Sequence, residues 1–88
     1  MHQEVEKVYV LIKVEPGKDF DVFSKIRDLQ HKYPIQEISS VYGEFEIITK
    51  IQIASPADLE DFVMKTIRKI PGVKETVTLI VAKSVEFK

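Results

Sequence analysis

Val41-Tyr42-Gly43-Glu44-Phe45-Glu46-Ile47 joins two runs of β-forming residues. Upstream, Gln36 to Tyr42 reads as a strand. Downstream, Phe45 to Ile53 alternates, with Phe45, Ile47, Ile51 and Ile53 on an apolar face that Thr49 interrupts. Read as a two-residue primed turn at Gly43-Glu44, where glycine tolerates positive φ, the hairpin sets Glu37 opposite Lys50 and Ser39 opposite Ile48. Unlike charges across strands support that register by about 0.2–1 kcal/mol. With Glu44 and Glu46 at its exit, the hairpin is also where main-chain amides and carboxylates can meet a small molecule.

Working outward, Val8 to Val14 alternates and is β-branched, so it reads as the first strand. Val8, Val10, Ile12 and Val14 share a fully apolar face, while Tyr9, Leu11 and Lys13 share the other. Glu15-Pro16-Gly17 breaks this strand. A helix over about Lys18–Lys32 follows, with Phe20, Phe23, Ile26, Leu29 and Tyr33 at helical spacing as its core stripe. Asp19 and Asp21 near its start and His31 and Lys32 near its end suit the helix dipole, and Pro34 stops it. A second helix opens at Ser55-Pro56-Ala57-Asp58, with Ser55 as N-cap and proline in the first turn. Its buried face is Leu59, Phe62, Val63, Thr66, Ile67 and Ile70, and Pro71-Gly72 ends it. The last strand runs from Val73 to about Ala82, with Val73, Val77, Leu79 and Val81 read as inward and Thr76, Thr78 and Ile80 as outward.

The order βαββαβ, with right-handed crossovers, builds a four-stranded antiparallel sheet carrying two helices on one face, the ferredoxin-like α+β sandwich. Its spare face is expected to hold Tyr9, Leu11, Val41, Ile48, Thr76, Thr78 and Ile80. A contiguous, partly apolar patch of this kind marks a contact surface. The expected occupant is a second copy, paired about a two-fold axis through Tyr9, Leu11, Ile48 and Ile80.

Composition narrows the function. At 88 residues the chain is expected to form one domain, and without cysteines it has no disulfides to stabilise so small a core. Association is the remaining common remedy. Thirteen Lys+Arg against 14 Asp+Glu give a formal net charge of -1, which argues against a nucleic-acid grip. No apolar run approaches the ~20 residues of a membrane span. No signal-peptide layout is visible at the start, so the expected location is the cytoplasm. His2 and His31 keep no ligand spacing with another donor, so neither a metal nor another cofactor is expected. Lys65, Arg68 and Lys69 read as a solvated helix end rather than a phosphate grip.

Tyr9-Val10-Leu11-Ile12-Lys13-Val14-Glu15-Pro16-Gly17, Val41-Tyr42-Gly43-Glu44-Phe45-Glu46, and Ile70-Pro71-Gly72-Val73 with Thr76 and Thr78 occur in that order. Together they resemble the effector (RAM) domain of the Lrp/AsnC, or feast/famine, transcriptional regulators, over roughly Lys7–Ala82. The resemblance implies sheet-to-sheet dimers that close into rings, commonly octamers, with an amino acid bound in clefts between dimers near the hairpin. Carried over by position, the ligand-binding residues are Val41, Gly43, Glu44, Phe45, Glu46, Thr76 and Thr78. Glu46 stands where the family most often has Asp, one methylene shorter. Members of full length carry a helix-turn-helix ahead of this domain. Here residues 1–6 form only a short extension, so the expectation is a stand-alone regulatory module that responds to amino acids without reading DNA, with full-length Lrp/AsnC regulators as further partners.

The chemistry of an α-amino acid fits these residues. Its ammonium needs acceptors, which Glu44 or Glu46 supply, and its carboxylate needs the N–H groups around Gly43. Plainer readings stand beside that one. Gly43 also suits any hairpin, Glu44 and Glu46 suit a solvated rim or a lysine across an interface, and Thr76 and Thr78 suit any half-buried strand. The main alternative function is therefore a structural or partner-binding module without ligand. An enzyme fits less well. The loop after strand one lacks the arginine of acylphosphatases, and the chain has no asparagine for the pockets of the small barrel monooxygenases. The ACT domain shares the topology, but its glycine follows strand one. RNA binding would need more stacking aromatics than Tyr9.

Overall fold

The computed structural model describes residues 6–88. The short extension expected over residues 1–6 lies outside them apart from Glu6, which already belongs to the first strand. The elements are β1 (Glu6–Val14), α1 (Asp19–Asp28), β2 (Ile35–Ser40), β3 (Ile47–Ile53), α2 (Pro56–Glu60) and β4 (Val73–Ile80). A 3-10 turn (Leu29–His31) extends α1. A wide π turn (Asp61–Thr66) and a 3-10 turn (Ile67–Lys69) continue α2 without a break. The strands form one antiparallel sheet in the order β2-β3-β1-β4, as the βαββαβ reading requires.

Alternation along β1 and β3 builds the core directly. Val8, Val10, Ile12 and Val14 of β1 meet Ile47, Thr49, Ile51 and Ile53 of β3 on the face that the helices cover, and all are buried. From α1 come Val22 and Ile26, and from the second helical segment Phe62, Val63 and Ile67. Phe23, Leu29, Tyr33, Leu59 and Ile70 pack around this centre. Phe20 does not join them. It is 79% exposed, because the buried stripe of α1 runs through Val22, Ile26 and Leu29 and leaves Phe20 on the flank.

The turns follow from their residues. Glu15-Pro16-Gly17-Lys18 closes with the Lys18 N–H donating to the Glu15 carbonyl at 3.0 Å, and Gly17 has φ +86°, as a proline-glycine type II turn demands. Ser55 caps α2 as read from sequence, its Oγ accepting from the Asp58 N–H at 3.2 Å. The π turn has a visible tie. The Tyr33 hydroxyl donates to Asp61 Oδ2 at 2.6 Å and lies 2.8 Å from Thr66 Oγ1. Residues five apart diverge by about 140° on a regular α-helix, and the wider turn brings both to one hydroxyl. The Tyr33 ring also meets Phe62 edge-on, with centroids 4.9 Å apart.

Each outer strand carries one extra residue. In β2 the pairing steps from Ile35 opposite Ile51 to Glu37 opposite Lys50, which leaves Gln36 over. In β4 it steps from Val73 opposite Val14 to Glu75 opposite Lys13, which leaves Lys74 over. The second bulge reverses the expected faces of β4. Thr76, Thr78 and Ile80 lie opposite Ile12, Val10 and Val8, on the helix-bearing side. Val77 and Leu79 lie opposite Leu11 and Tyr9, on the open side. A strand without the bulge would keep Val73, Val77 and Leu79 on one face.

Candidate ligand site and sheet face

The link between β2 and β3 is an open loop rather than a two-residue turn. Strand pairing ends at Ser40 opposite Ile47, in the predicted register, with Glu37 opposite Lys50 and Ser39 opposite Ile48. Beyond it one bond remains, from the Val41 N–H to the Glu46 carbonyl at 2.9 Å. Gly43 has φ +143°, away from the values of a primed turn, and open space where a Cβ would stand.

Glu46 ties the open loop to β1. Its N–H donates to the Ile12 carbonyl at 3.1 Å, and its Oε1 accepts from the Val14 N–H at 2.5 Å. The side chain thereby replaces the main-chain partner that Val14 would find if β3 continued backward to Phe45. One carboxylate oxygen of Glu46 is occupied in holding the loop to β1. Glu44 is exposed and, among the described residues, has no cation within 4.0 Å. The N–H groups of Tyr42, Gly43, Glu44 and Phe45 make no hydrogen bond within the described residues. Four consecutive unbonded amides beside an unpaired carboxylate supply the donors and the acceptor that a zwitterion requires.

Thr76 and Thr78 are placed differently from the sequence expectation. Thr76 is level with Ile12 and hence with Ile47, at the loop end of the sheet. Two strand spacings, about 10 Å, separate β4 from β3. Both threonines are half-buried on the helix-bearing face. Within one copy, therefore, they do not close a pocket with the loop. A cleft of about 410 Å³ does border the loop on the other side, lined by Phe20, Phe23, Arg27 and Ser40 among others. Sequence reading missed it by assigning Phe20 to the core.

The open face of the sheet has an apolar centre of Tyr9, Leu11, Ile48, Val77 and Leu79. Opposed charges edge it, Lys13 with Glu75 and Lys50 with Glu37. Tyr9, Leu11 and Ile48 are where the sequence set them. Ile80 is not. It is 52% exposed and faces the helix side, where it shares a cleft with Ile53 and Leu59. Leu79, 48% exposed, takes the open-face position. The signal for Val77 and Leu79 is a Lys13–Glu75 pair of unlike charges, the counterpart of Glu37 with Lys50.

The sequence model of the Lrp/AsnC ligand binding domain matches residues 7–87. The chain belongs to the Lrp/AsnC family. This Lrp/AsnC domain is 26% identical over 72 residues to an uncharacterized HTH-type transcriptional regulator of Pyrococcus furiosus, spanning 82% of the chain and 48% of that protein. It thus covers about half the length of the curated relative it matches. Among solved structures it is similar to FFRP-DM1, at 29% identity and a TM-score of 0.73, over 86% of this chain and 97% of that one. The fold also matches a feast or famine regulatory protein from M. tuberculosis complexed with L-methionine. There the identity is 22% and the TM-score 0.74, over 93% of this chain and 53% of that one. These matches are to regulator domains, which are not enzymes. Among the described residues of the Lrp/AsnC domain, no helix is long and apolar enough to cross a membrane, and no group of three or more His, Cys, Asp or Glu could hold a metal ion.

Proposed function

We propose that this chain is an amino-acid-responsive assembly module of the Lrp/AsnC type. Two copies pair through the open sheet face, and the dimers close into a ring, an octamer by family resemblance. Each ligand sits between dimers against the Val41–Glu46 loop. Its carboxylate takes the free N–H groups from Tyr42 to Phe45, with Gly43 allowing close approach, and its ammonium takes Glu44 and the second oxygen of Glu46. Thr76 and Thr78 complete the site from a neighbouring copy. The observation that carries this reading is the run of four unbonded amides beside Glu44. The L-methionine complex of the M. tuberculosis relative supports the ligand class. Regulation then acts through assembly, including mixed rings with longer family members. The net charge of -1 supports a domain that does not itself grip DNA.

Native mass spectrometry with and without each amino acid tests the reading, because it reports stoichiometry and occupancy together. The expected result is an even-numbered ring that gains one ligand per subunit. A ligand at a hundredfold excess over Kd also stabilises by about 2.7 kcal/mol, visible as a rise in Tm. No occupancy and no Tm shift with any amino acid at millimolar concentration would reject sensing. It would leave the second reading, assembly without ligand. The engagement of Glu46 with Val14 favours that alternative, since it removes one acceptor from the ligand.

A further inference from the structure

Phe20 leaves an uncovered ring on the flank of α1. It is 79% exposed and lines the cleft of about 410 Å³ between α1 and the end of β2. That volume falls within the range of small-molecule sites. Phe20, Phe23, Ser24 and Arg27 stand at i, i+3, i+4 and i+7 on α1 and therefore share one face. Asp19 adds a carboxylate at the start of that row, and Ser40, the last residue of β2, adds a hydroxyl from the sheet.

The charges of this cleft belong to opposite ends of the row. Asp19 adjoins Phe20, and two turns of helix, about 10.5 Å along the axis, separate Phe20 from Arg27. Among the described residues, no carboxylate comes within 4.0 Å of the Arg27 guanidinium, and no cation within 4.0 Å of Asp19. In order, the row offers a carboxylate, an aromatic ring, a hydroxyl and a guanidinium. Phe23 is half-buried against the core, whereas the Phe20 ring is a flat apolar surface open to stacking. Exposed aromatic rings hold single bases by stacking, and a guanidinium holds phosphate by paired hydrogen bonds.

We propose that this cleft binds a free nucleoside monophosphate whose base carries an amino group. The base stacks on Phe20, and its amino group donates to Asp19, as base amino groups do to carboxylates. Ser24 and Ser40 take the sugar hydroxyls, and Arg27 takes the phosphate. Arg27 is the single cation among the lining residues, which selects one phosphate; a second or third would bring charge without a partner. An aromatic carboxylic acid would satisfy Phe20 and Arg27 but leave Asp19 and the hydroxyls unmet. With a net charge of -1 the chain offers no basic track for a strand backbone, so the ligand is one nucleotide rather than a nucleic acid. The inference stands apart from the assembly reading, and the Val41–Glu46 loop takes no part in it.

Isothermal titration calorimetry of the full chain with AMP, adenosine, ribose 5-phosphate and IMP tests this. Adenosine lacks the phosphate, ribose 5-phosphate lacks the base, and IMP lacks the amino group. Each should bind at least about tenfold more weakly than AMP, the scale of one lost charged hydrogen bond or one lost stacking contact. Phe20→Ala, at an exposed position, should weaken AMP about tenfold while circular dichroism stays native. Arg27→Gln should weaken AMP and leave adenosine unchanged, and Arg27→Lys should restore part of the loss. Glu44→Gln, in the loop, should leave AMP binding unchanged. Absence of AMP binding at millimolar concentration overturns the proposal. So does adenosine or ribose 5-phosphate binding as tightly as AMP, or a loss that follows Glu44→Gln instead of Phe20→Ala. A single-stranded oligonucleotide that binds at least about tenfold tighter than AMP overturns it in favour of a nucleic-acid strand. An amino-acid response at the loop survives any of these outcomes, so the two readings fail separately.

Discussion

Thr49 places a hydroxyl at the centre of the core, fully buried between Val10 and Ile38, and its Oγ1 finds no hydrogen-bond partner among the described residues. An unsatisfied buried hydroxyl costs about 1–3 kcal/mol. Thr49→Val keeps the shape and removes the polar atom, so it should stabilise by about 1 kcal/mol. For a domain of this size that is a Tm rise of about 4–8 °C, read by calorimetry. Glu46 is the opposite case. Glu46→Ala leaves the Val14 N–H without its acceptor and should cost about 1–3 kcal/mol in denaturant unfolding. Glu46→Gln keeps an oxygen there and should cost well under half as much. If Glu46 also holds a ligand ammonium, Glu46→Gln weakens the ligand more than it weakens the fold.

At the scale of elements, the junction of the second helical segment with β4 is the least tolerant point. Gly72 has φ +103°, and a Cβ there would stand 2.9 Å from Lys18 Cβ and 3.1 Å from Val22 Cγ2. Its carbonyl accepts from the Glu15 N–H at 2.8 Å, so the backbone cannot turn away freely. Gly72→Ala should therefore destabilise by about 1–3 kcal/mol, read as a lower urea midpoint at unchanged slope. Most elements were legible in the sequence because their signals are local. The Ser55 cap, the Pro16-Gly17 turn and the Glu37–Lys50 pair each declare themselves within a few residues. Phe20 was misread because two overlapping stripes share Ile26 and Leu29, and only packing against the sheet selects between them. The faces of β4 were misread because Val73, Val77 and Leu79 alternate as a regular strand would. The extra residue at Lys74 shows only through its partners on β1.

At the scale of the molecule, the open face is the proposed contact between copies. Leu11 lies at its centre, between Ile48 and Val77. Leu11→Glu sets a charge into the proposed contact without touching the core. Analytical ultracentrifugation should then find monomers at micromolar concentration where the parent chain sediments as an oligomer. If both sediment alike, pairing through this face is wrong. The candidate site was only half legible for a related reason. The loop residues are contiguous and could be read in one pass. Thr76 and Thr78 lie across β1 from the loop, so joining them to it takes a second copy, an arrangement no single chain displays.

The bulges at Gln36 and Lys74 have a consequence for how growth stops. β2 and β4 are the two margins of the sheet, and a straight margin is a template on which foreign strands stack without limit. Both margins here are kinked by one surplus residue. Fibril-like accretion along the hydrogen-bonding direction is thereby discouraged at each side. The flat of the sheet stays open for the proposed two-fold pairing, which is complete after one partner.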